Sequence, residues 1–117
     1  RRNLTTTAPQ ALTLLNSKLT LEWAQAFAAR VIRTAGPAAS QQVEAAYQLA
    51  YSRKPDAAEV QTALGFLDRQ RHIIAARQGA VLALPTPVPE LMDRPAAAAL
   101  VDLCHMLMNS NEFVYRN

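Results

Sequence analysis

The sequence predicts an all-α fold: a bundle of four main helices plus a short N-terminal helix, with a proline-rich crossover before the last helix. Half of the 117 residues are hydrophobic, which is enough to build the core of one domain. Only three glycines occur and alanine is abundant, a composition that favours helices over a turn-rich β fold. Apolar residues also recur at three- and four-residue steps. We therefore interpret residues 1–117 as a single helical domain.

The last stretch, residues 95–117, has the clearest helical pattern. Because a helix this apolar must be covered on more than one side, we expect it at the centre of the bundle. Asp93 is placed to cap its start, and Asn109 and Ser110 end it. Ser110 would then cap a short final turn that contains Glu112 and Phe113. The predicted core face comprises Ala97, Leu100, Val101, Cys104, Leu107 and Met108, widened by Leu103 and Met106.

Four helices precede it, of which the first three are considered in chain order from their start and stop signals. A short helix is predicted over residues 10–16, and a longer one over residues 18–35 that Gly36 and Pro37 end. Ser40 is the predicted cap of the next helix, which runs to about Ser52. The stripe of the 18–35 helix comprises Leu21, Ala24, Phe27, Ala28, Val31 and Ile32, with Trp23 beside it.

The longest helix is predicted over residues 57–78, before an extended crossover. Asp56 caps it, and Glu59 three residues later completes a capping-box pattern. Gly65 inside it costs about 1 kcal/mol relative to alanine, and we interpret it as allowing a close helix crossing. Gly79 ends the helix. Residues 80–94 hold three prolines within five positions, which favours an extended conformation packed along the bundle.

The charge distribution gives little support for nucleic-acid binding. The net charge is +3, and residues 1–35 carry five basic side chains and one acidic side chain. However, the helix that would enter DNA in a helix-turn-helix opens with Asp56 and Glu59, which would face phosphates. We therefore predict no nucleic-acid partner. No apolar run is long enough to span a membrane, so we also predict no membrane insertion.

The chain has few cysteine and histidine residues that could bind a metal or haem, or act as a nucleophile. The single cysteine, Cys104, excludes an internal disulfide, and covalent haem attachment needs a C-x-x-C-H motif that the chain lacks. One cysteine and two histidines without ligand spacing predict no metal site. Cys104 lies on the apolar stripe, so we interpret it as core filler and not as a nucleophile. We assign no catalytic residue, no cofactor-binding residue and no metal ligand.

A candidate polar site lies on the last helix. Asp102, His105 and Asn109 follow one another at single-turn spacing, and Asn111 comes soon after. A histidine held by a carboxylate could titrate or bind a ligand. The alternative, which we favour, is a hydrogen bond at the rim of the bundle that locks the helix to its neighbours.

A second set of polar residues has an expected structural role in the turn before the longest helix. Arg53 and Glu59 would fix this turn, with Pro55 between them. We expect Arg53→Ala to lower the free energy of unfolding by about 1–3 kcal/mol if the guanidinium bonds a carboxylate or buried carbonyls.

Three stretches together carry a family resemblance. The opening, R-R-N-L-T-T-T-A-P-Q-A-L-T-L-L-N, is similar to an R-x-x-T-x-T-P-x-Q-A-L-x-L-L-N pattern. The centre is similar to A-x-x-L-x-L-x-R-x-P-x-x-x-E, and the ending to L-x-x-x-L-L-N-S-N-E-F. This ordered set resembles the planctomycete-type C-terminal domain of unknown function, the PSD-one family, found behind planctomycete cytochrome c-like domains. The residues that carry the centre and the ending are Leu49, Arg53, Pro55, Glu59, Leu107, Asn109, Ser110, Asn111, Glu112 and Phe113.

The resemblance implies a context and no catalytic residues. It implies a large exported bacterial protein with haem in upstream domains, no cofactor in this chain, and those upstream domains as partners. The start at Arg1-Arg2, without methionine, is consistent with the C-terminal part of such a protein.

The leading hypothesis is a non-catalytic interaction or structural module, with no enzyme activity of its own. The alternative is that Asp102, His105 or Asn111 completes an enzyme or redox site shared with upstream domains. Exposure of these residues in one open pocket would favour the alternative.

Overall fold

The computed structural model describes residues 18–77, 79, 81–90 and 92–110, and these form an all-α bundle. Its helices are α1 (Lys18–Ala35), α2 (Ala39–Tyr51), α3 (Ala57–Ala76) and α4 (Arg94–Met108). No strand occurs among the described residues, so the predicted fold class is confirmed for them. The expected short helix over residues 10–16 and the final turn with Asn111, Glu112 and Phe113 lie outside the described residues.

The last helix, α4, is the centre of the bundle. It packs against α1, α2 and α3, as its apolar sequence predicts. Asp93 accepts a hydrogen bond from the Ala96 backbone N–H at 3.2 Å, which caps the helix start as expected. Met106 is 46% exposed, so its assignment to the core face was wrong. It lies two residues from the buried Cys104, about 200° around the helix, and therefore points outward.

The first helix of the described chain, α1, has the predicted bounds and the predicted end. Ala24, Ala28 and Val31 are fully buried against the neighbouring helices. Gly36 adopts a φ of 80°, and its N–H donates to the Ile32 carbonyl at 2.7 Å. A positive φ suits glycine because it has no Cβ to clash with the backbone.

The start of α2 differs from the sequence prediction. The helix begins at Ala39, and its cap position is Ala38, which has no side-chain capping bond. Ser40 is therefore already inside the first turn, and its assignment as the cap was wrong. Gln42 supplies a different contact here, because its Nε2 donates to the Gly36 carbonyl at 2.8 Å. This bond ties the start of α2 to the end of α1.

The longest helix, α3, starts as predicted and ends slightly earlier. Asp56 accepts from the Glu59 N–H at 2.8 Å, and the Glu59 side chain accepts from the Asp56 N–H at 2.9 Å. This is the predicted capping box. The helix ends at Ala76 because Arg77 leaves helical geometry (φ −91°, ψ 86°). The predicted end near Gly79 was therefore too late.

The crossover between α3 and α4 is extended and packs on α1. The Thr86 N–H donates to the Gln25 carbonyl at 3.1 Å, and Gln25 Nε2 donates to the Leu84 carbonyl at 2.9 Å. Leu84 and Pro85 are buried. The prolines prevent helix formation, while the apolar residues between them keep the segment against the bundle.

Gly65 does not mark a tight helix crossing. A Cβ built on Gly65 would approach only Arg69 Nη1, at 3.2 Å, among the described residues. That atom is the end of a flexible side chain on the same helix. The interpretation of Gly65 as a close-packing position was therefore wrong.

We expect Gly65→Ala to raise the free energy of unfolding by about 0.5–1 kcal/mol, because alanine loses less backbone entropy in a helix. Urea denaturation followed by circular dichroism would measure the change. A lower stability in the variant would show that this position cannot accept a Cβ.

Gly36→Ala is the matched control, since the same methyl group is added where φ is 80°. The left-handed conformation disfavours alanine, so this variant should lose about 1–2 kcal/mol in the same assay. Equal changes in the free energy of unfolding would contradict both interpretations, namely that Gly65 can accept a Cβ and that Gly36 needs its positive φ.

Candidate functional site

The turn between α2 and α3 is held by a bidentate ion pair. Arg53 Nη1 and Nη2 donate to Glu59 Oε1 and Oε2, both at 2.8 Å. Glu59 Oε1 also accepts the Asp56 N–H, so one carboxylate closes the turn and caps α3. Pro55 lies between the partners and restricts the backbone there. The structure therefore places Arg53, Pro55 and Glu59 together, as the sequence predicted.

Two tyrosines form the other side of this turn. The Arg53 guanidinium carbon lies 5.6 Å from the ring centroid of Tyr47 and 5.6 Å from that of Tyr51. The two rings meet edge to face, with centroids 5.3 Å apart. Both distances from the guanidinium are within the range of cation–π attraction. Arg53 therefore joins the turn to the aromatic edge of the core.

Tyr51 also ties the end of α2 to the end of α4. Its hydroxyl donates to the Leu107 carbonyl at 3.1 Å and lies 2.6 Å from Ser110 Oγ, which itself donates to Leu107 at 2.8 Å. Tyr51 is only 3% exposed. These contacts with α4 keep its hydroxyl end out of solvent.

The Glu59 carboxylate is strongly stabilised in its charged form. The hydrogen bonds from Arg53 lower its pKa from 4.5 to about 2, and the Asp56 N–H contributes in the same direction. Burial acts in the opposite direction and is outweighed by these hydrogen bonds. The pair is thus an ionised structural contact at neutral pH and is not poised for acid–base catalysis.

Asp102 and His105, from the candidate polar site on α4, do not line any of the three cavities described below. Asp102 Oδ2 accepts from Gln70 Nε2 of α3 at 3.1 Å, which matches the expected rim hydrogen bond. His105 is half-buried, and its carbonyl accepts the Asn109 N–H at 3.1 Å. Asn109 Oδ1 is buried without a hydrogen-bond partner in the described part of the chain. Asn111 lies outside the described residues.

Cys104 is buried in the core. Burial raises the pKa of its thiol because the thiolate would be charged in an apolar surrounding. The thiol therefore stays neutral and fills space between helices. No group of three or more histidine, cysteine, aspartate or glutamate side chains in the described ranges could hold a metal ion.

The surface cavities of the described structure include the following three. One, of about 220 Å³, lies between α2, α3 and the start of α4, and another, of about 390 Å³, is polar and lies along α1 and α2. Neither is lined by the candidate polar residues of α4. The third, of about 460 Å³, is the largest of the three, and we call it the Trp23 groove. Its lining residues are Trp23, Ala26, Phe27, Arg30, Arg33, Leu49 and Met108.

The Trp23 groove was missed by the sequence reasoning. The predicted core stripe places Trp23 only beside it. Trp23 is in fact 53% exposed, and Leu19 one turn earlier is also 53% exposed. The spacing 19, 23, 26, 30, 33 was the available signal, since it defines a second helix face.

The described residues form an all-α fold. The Arg53–Glu59 ion pair holds a turn, and the Tyr51 hydroxyl joins two helix ends. No described helix is both long enough and apolar enough to cross a membrane.

The chain belongs to the PSD1 family of proteins of unknown function (DUF1553), whose family model matches residues 1–67. The match includes α1, α2, the Arg53–Glu59 turn and the first half of α3. It confirms the resemblance drawn from the sequence motifs. No curated protein and no solved structure matches the chain.

We expect Arg53→Ala to lower the free energy of unfolding by about 1–2 kcal/mol, through loss of the ion pair and the tyrosine contacts. The lower part of the expected range applies because the Arg53 and Glu59 side chains are 37% and 29% exposed, so solvent screens their attraction. Chemical denaturation at pH 7 would measure it. An unchanged unfolding curve would rule out a structural role for Arg53.

The Glu59 pair should also give a defined pH dependence. Its pKa is lowered on folding, so its contribution is present above pH 4.5 and is lost as the pH falls towards 2. Glu59→Gln should therefore be less stable than the wild type at pH 7, with the difference shrinking towards pH 2.

Asp68→Asn provides the control, because Asp68 is 63% exposed in its pair with Arg71. Its substitution should change stability little at any pH. A constant gap between Glu59→Gln and the wild type from pH 7 to pH 2 would contradict the assignment.

Proposed function

We propose that this chain is a non-catalytic helical interaction module that docks on another part of an exported multidomain bacterial protein. The exposed Trp23 at the mouth of the Trp23 groove carries the proposal. A tryptophan that is 53% exposed leaves a large apolar surface in water, and such side chains are enriched at protein interfaces.

The exposed face of α1 has the composition of an interface. Leu19 and Trp23 lie at one end, and Arg30 and Arg33 at the other. Aromatic residues and arginine are enriched in interfaces, where they supply most of the binding free energy. The face is continuous along the helix, so a partner segment could contact all four side chains at once.

The floor of the groove is part of the packed bundle. Met108 is buried, and Phe27 and Leu49 are half-buried against the core. Side chains held by core packing lose little entropy when a partner binds, which favours affinity. The groove is therefore a preformed surface on three helices.

The alternative of a shared catalytic or redox site has no comparable support. Asp102 is bonded to Gln70, and neither Asp102 nor His105 lines any of the three cavities. The exported context and the upstream haem domains stand as proposals from the family resemblance.

Calorimetric titration tests the docking role. The purified chain would be titrated into the separately purified polypeptide that precedes it in the longer protein, and we expect a dissociation constant in the micromolar range or below. Trp23→Ala should weaken binding by about tenfold or more, since truncating a central aromatic residue costs more than 1 kcal/mol.

Ile73→Ala is the matched control, because Ile73 is 45% exposed on α3 and does not line the groove. Its affinity should equal that of the wild type, and circular dichroism would verify that both variants fold. Absence of heat at several temperatures, or equal weakening by both substitutions, would overturn the docking role.

A further inference from the structure

We propose that the occupant of the Trp23 groove is a short acidic peptide segment of the partner that also carries apolar side chains. This inference rests on the docking role proposed above and adds the chemistry of the bound segment. It follows from the charge, the spacing and the lining of the groove.

The groove has positive charge without a matching carboxylate. Arg30 and Arg33 are exposed on its wall, and none of the described lining residues is acidic. The ion pairs found among the described residues involve Arg53, Arg71 and His72, and neither groove arginine. Guanidinium groups in an apolar setting bind carboxylates with paired hydrogen bonds. The carboxylates of an acidic segment would therefore neutralise the charges of Arg30 and Arg33.

The spacing along α1 sets the pattern expected in the ligand. Trp23 and Arg30 are seven residues apart, which corresponds to about 10 Å along the helix, and Arg33 lies about 4.5 Å further. A ligand must therefore place apolar side chains about 10–15 Å from its carboxylates. Two turns of a helix, or three to four residues of an extended chain, span that distance.

The groove lining favours a peptide over a nucleic acid. Phe27, Leu49 and Met108 form an apolar floor, and this floor would bury aliphatic or aromatic side chains of a peptide. Binding of single strands uses a basic track along the backbone as well as a stacking ring. Two arginines at one end of the groove do not form such a track.

A second copy of the chain is a poorer fit than an acidic segment. An isologous pair would bring two identical faces together. Those faces supply four arginines and no carboxylate from the described lining residues. Arg30 and Arg33 would then be desolvated without an anionic partner, which is unfavourable.

Peptide selection on the intact chain tests the proposal independently of any partner. Random dodecapeptides displayed on phage would be selected on the wild-type chain, with counter-selection on Trp23→Ala. We expect enriched peptides to combine aspartate or glutamate with tryptophan, phenylalanine or leucine at the spacing given above. Enrichment of peptides without acidic residues, or no enrichment, would overturn the proposal.

Charge exchange with the synthetic consensus peptide gives the decisive comparison. The double variant Arg30→Glu/Arg33→Glu should bind it at least about tenfold more weakly. A peptide with lysine in place of each acidic residue should instead prefer that variant. The matched control, Arg69→Glu/Arg77→Glu, changes charge equally on exposed residues outside the groove and should alter the affinity less than about twofold. Equal weakening in both double variants would overturn the proposal.

The remaining outcomes separate this inference from the docking role. If Trp23→Ala abolishes binding of the preceding polypeptide while Arg30→Glu/Arg33→Glu does not, the acidic chemistry is wrong and docking stands. If the acidic peptide binds as expected but the preceding polypeptide gives no heat, the docking role fails and the groove chemistry stands.

Three other occupants would each overturn the inference. A tenfold gain in peptide affinity on Glu112→Lys would assign the groove to the chain's own C-terminal segment. Concentration-dependent dimers in sedimentation, lost in Trp23→Ala, would assign it to a second copy. Tight binding of a single-stranded oligonucleotide that competes with the peptide would assign it to nucleic acid.

Discussion

Burial of α4 is the constraint on which the rest of the structure depends. Leu100, Val101, Leu103 and Cys104 are at most 1% exposed, so the helix is apolar around most of its circumference. Such a helix is stable in water only when other elements cover it. The helices α1, α2 and α3 all pack against it.

Several of the polar contacts described above join helix ends and turns. Glu59 serves both the turn before α3 and the cap of that helix. Gln42 joins the start of α2 to the carbonyl of Gly36, and Tyr51 joins the end of α2 to the end of α4. Each bond satisfies backbone or charged groups that packing alone would leave without partners. Of the candidate polar residues on α4, Asp102 is satisfied in the same way, because it accepts a hydrogen bond from Gln70 of α3.

The outer face of α1 carries large apolar side chains that remain exposed to solvent. One side of this helix buries Ala24, Ala28 and Val31, while the opposite side exposes Leu19 and Trp23. A helix with a buried face and large apolar side chains on its exposed face is suited to contact two layers, of which the described bundle supplies one. The stretch that the family model matches, residues 1–67, includes α1.

The sequence by itself determined the elements whose causes are local. Asp56 and Glu59 define a capping box within four residues, Gly36 supplies the positive φ that ends α1, and the apolar period of α4 predicts its burial. The local signal is weaker where several neighbouring residues could cap a helix. Ser40 is a suitable cap by its side chain, but the cap position of α2 is Ala38.

Only the tertiary structure decided which faces remain open. Met106 and Trp23 are apolar and lie near core positions, yet 46% and 53% of their surfaces are exposed. Tyr51 carries a polar group and is nevertheless buried, because its hydroxyl donates to the Leu107 carbonyl and lies within hydrogen-bond distance of Ser110 Oγ. The Trp23 groove joins side chains from three helices that are distant in the sequence. Periodicity reports that a helix has an apolar side, but the packing of its neighbours decides how much of that side is covered.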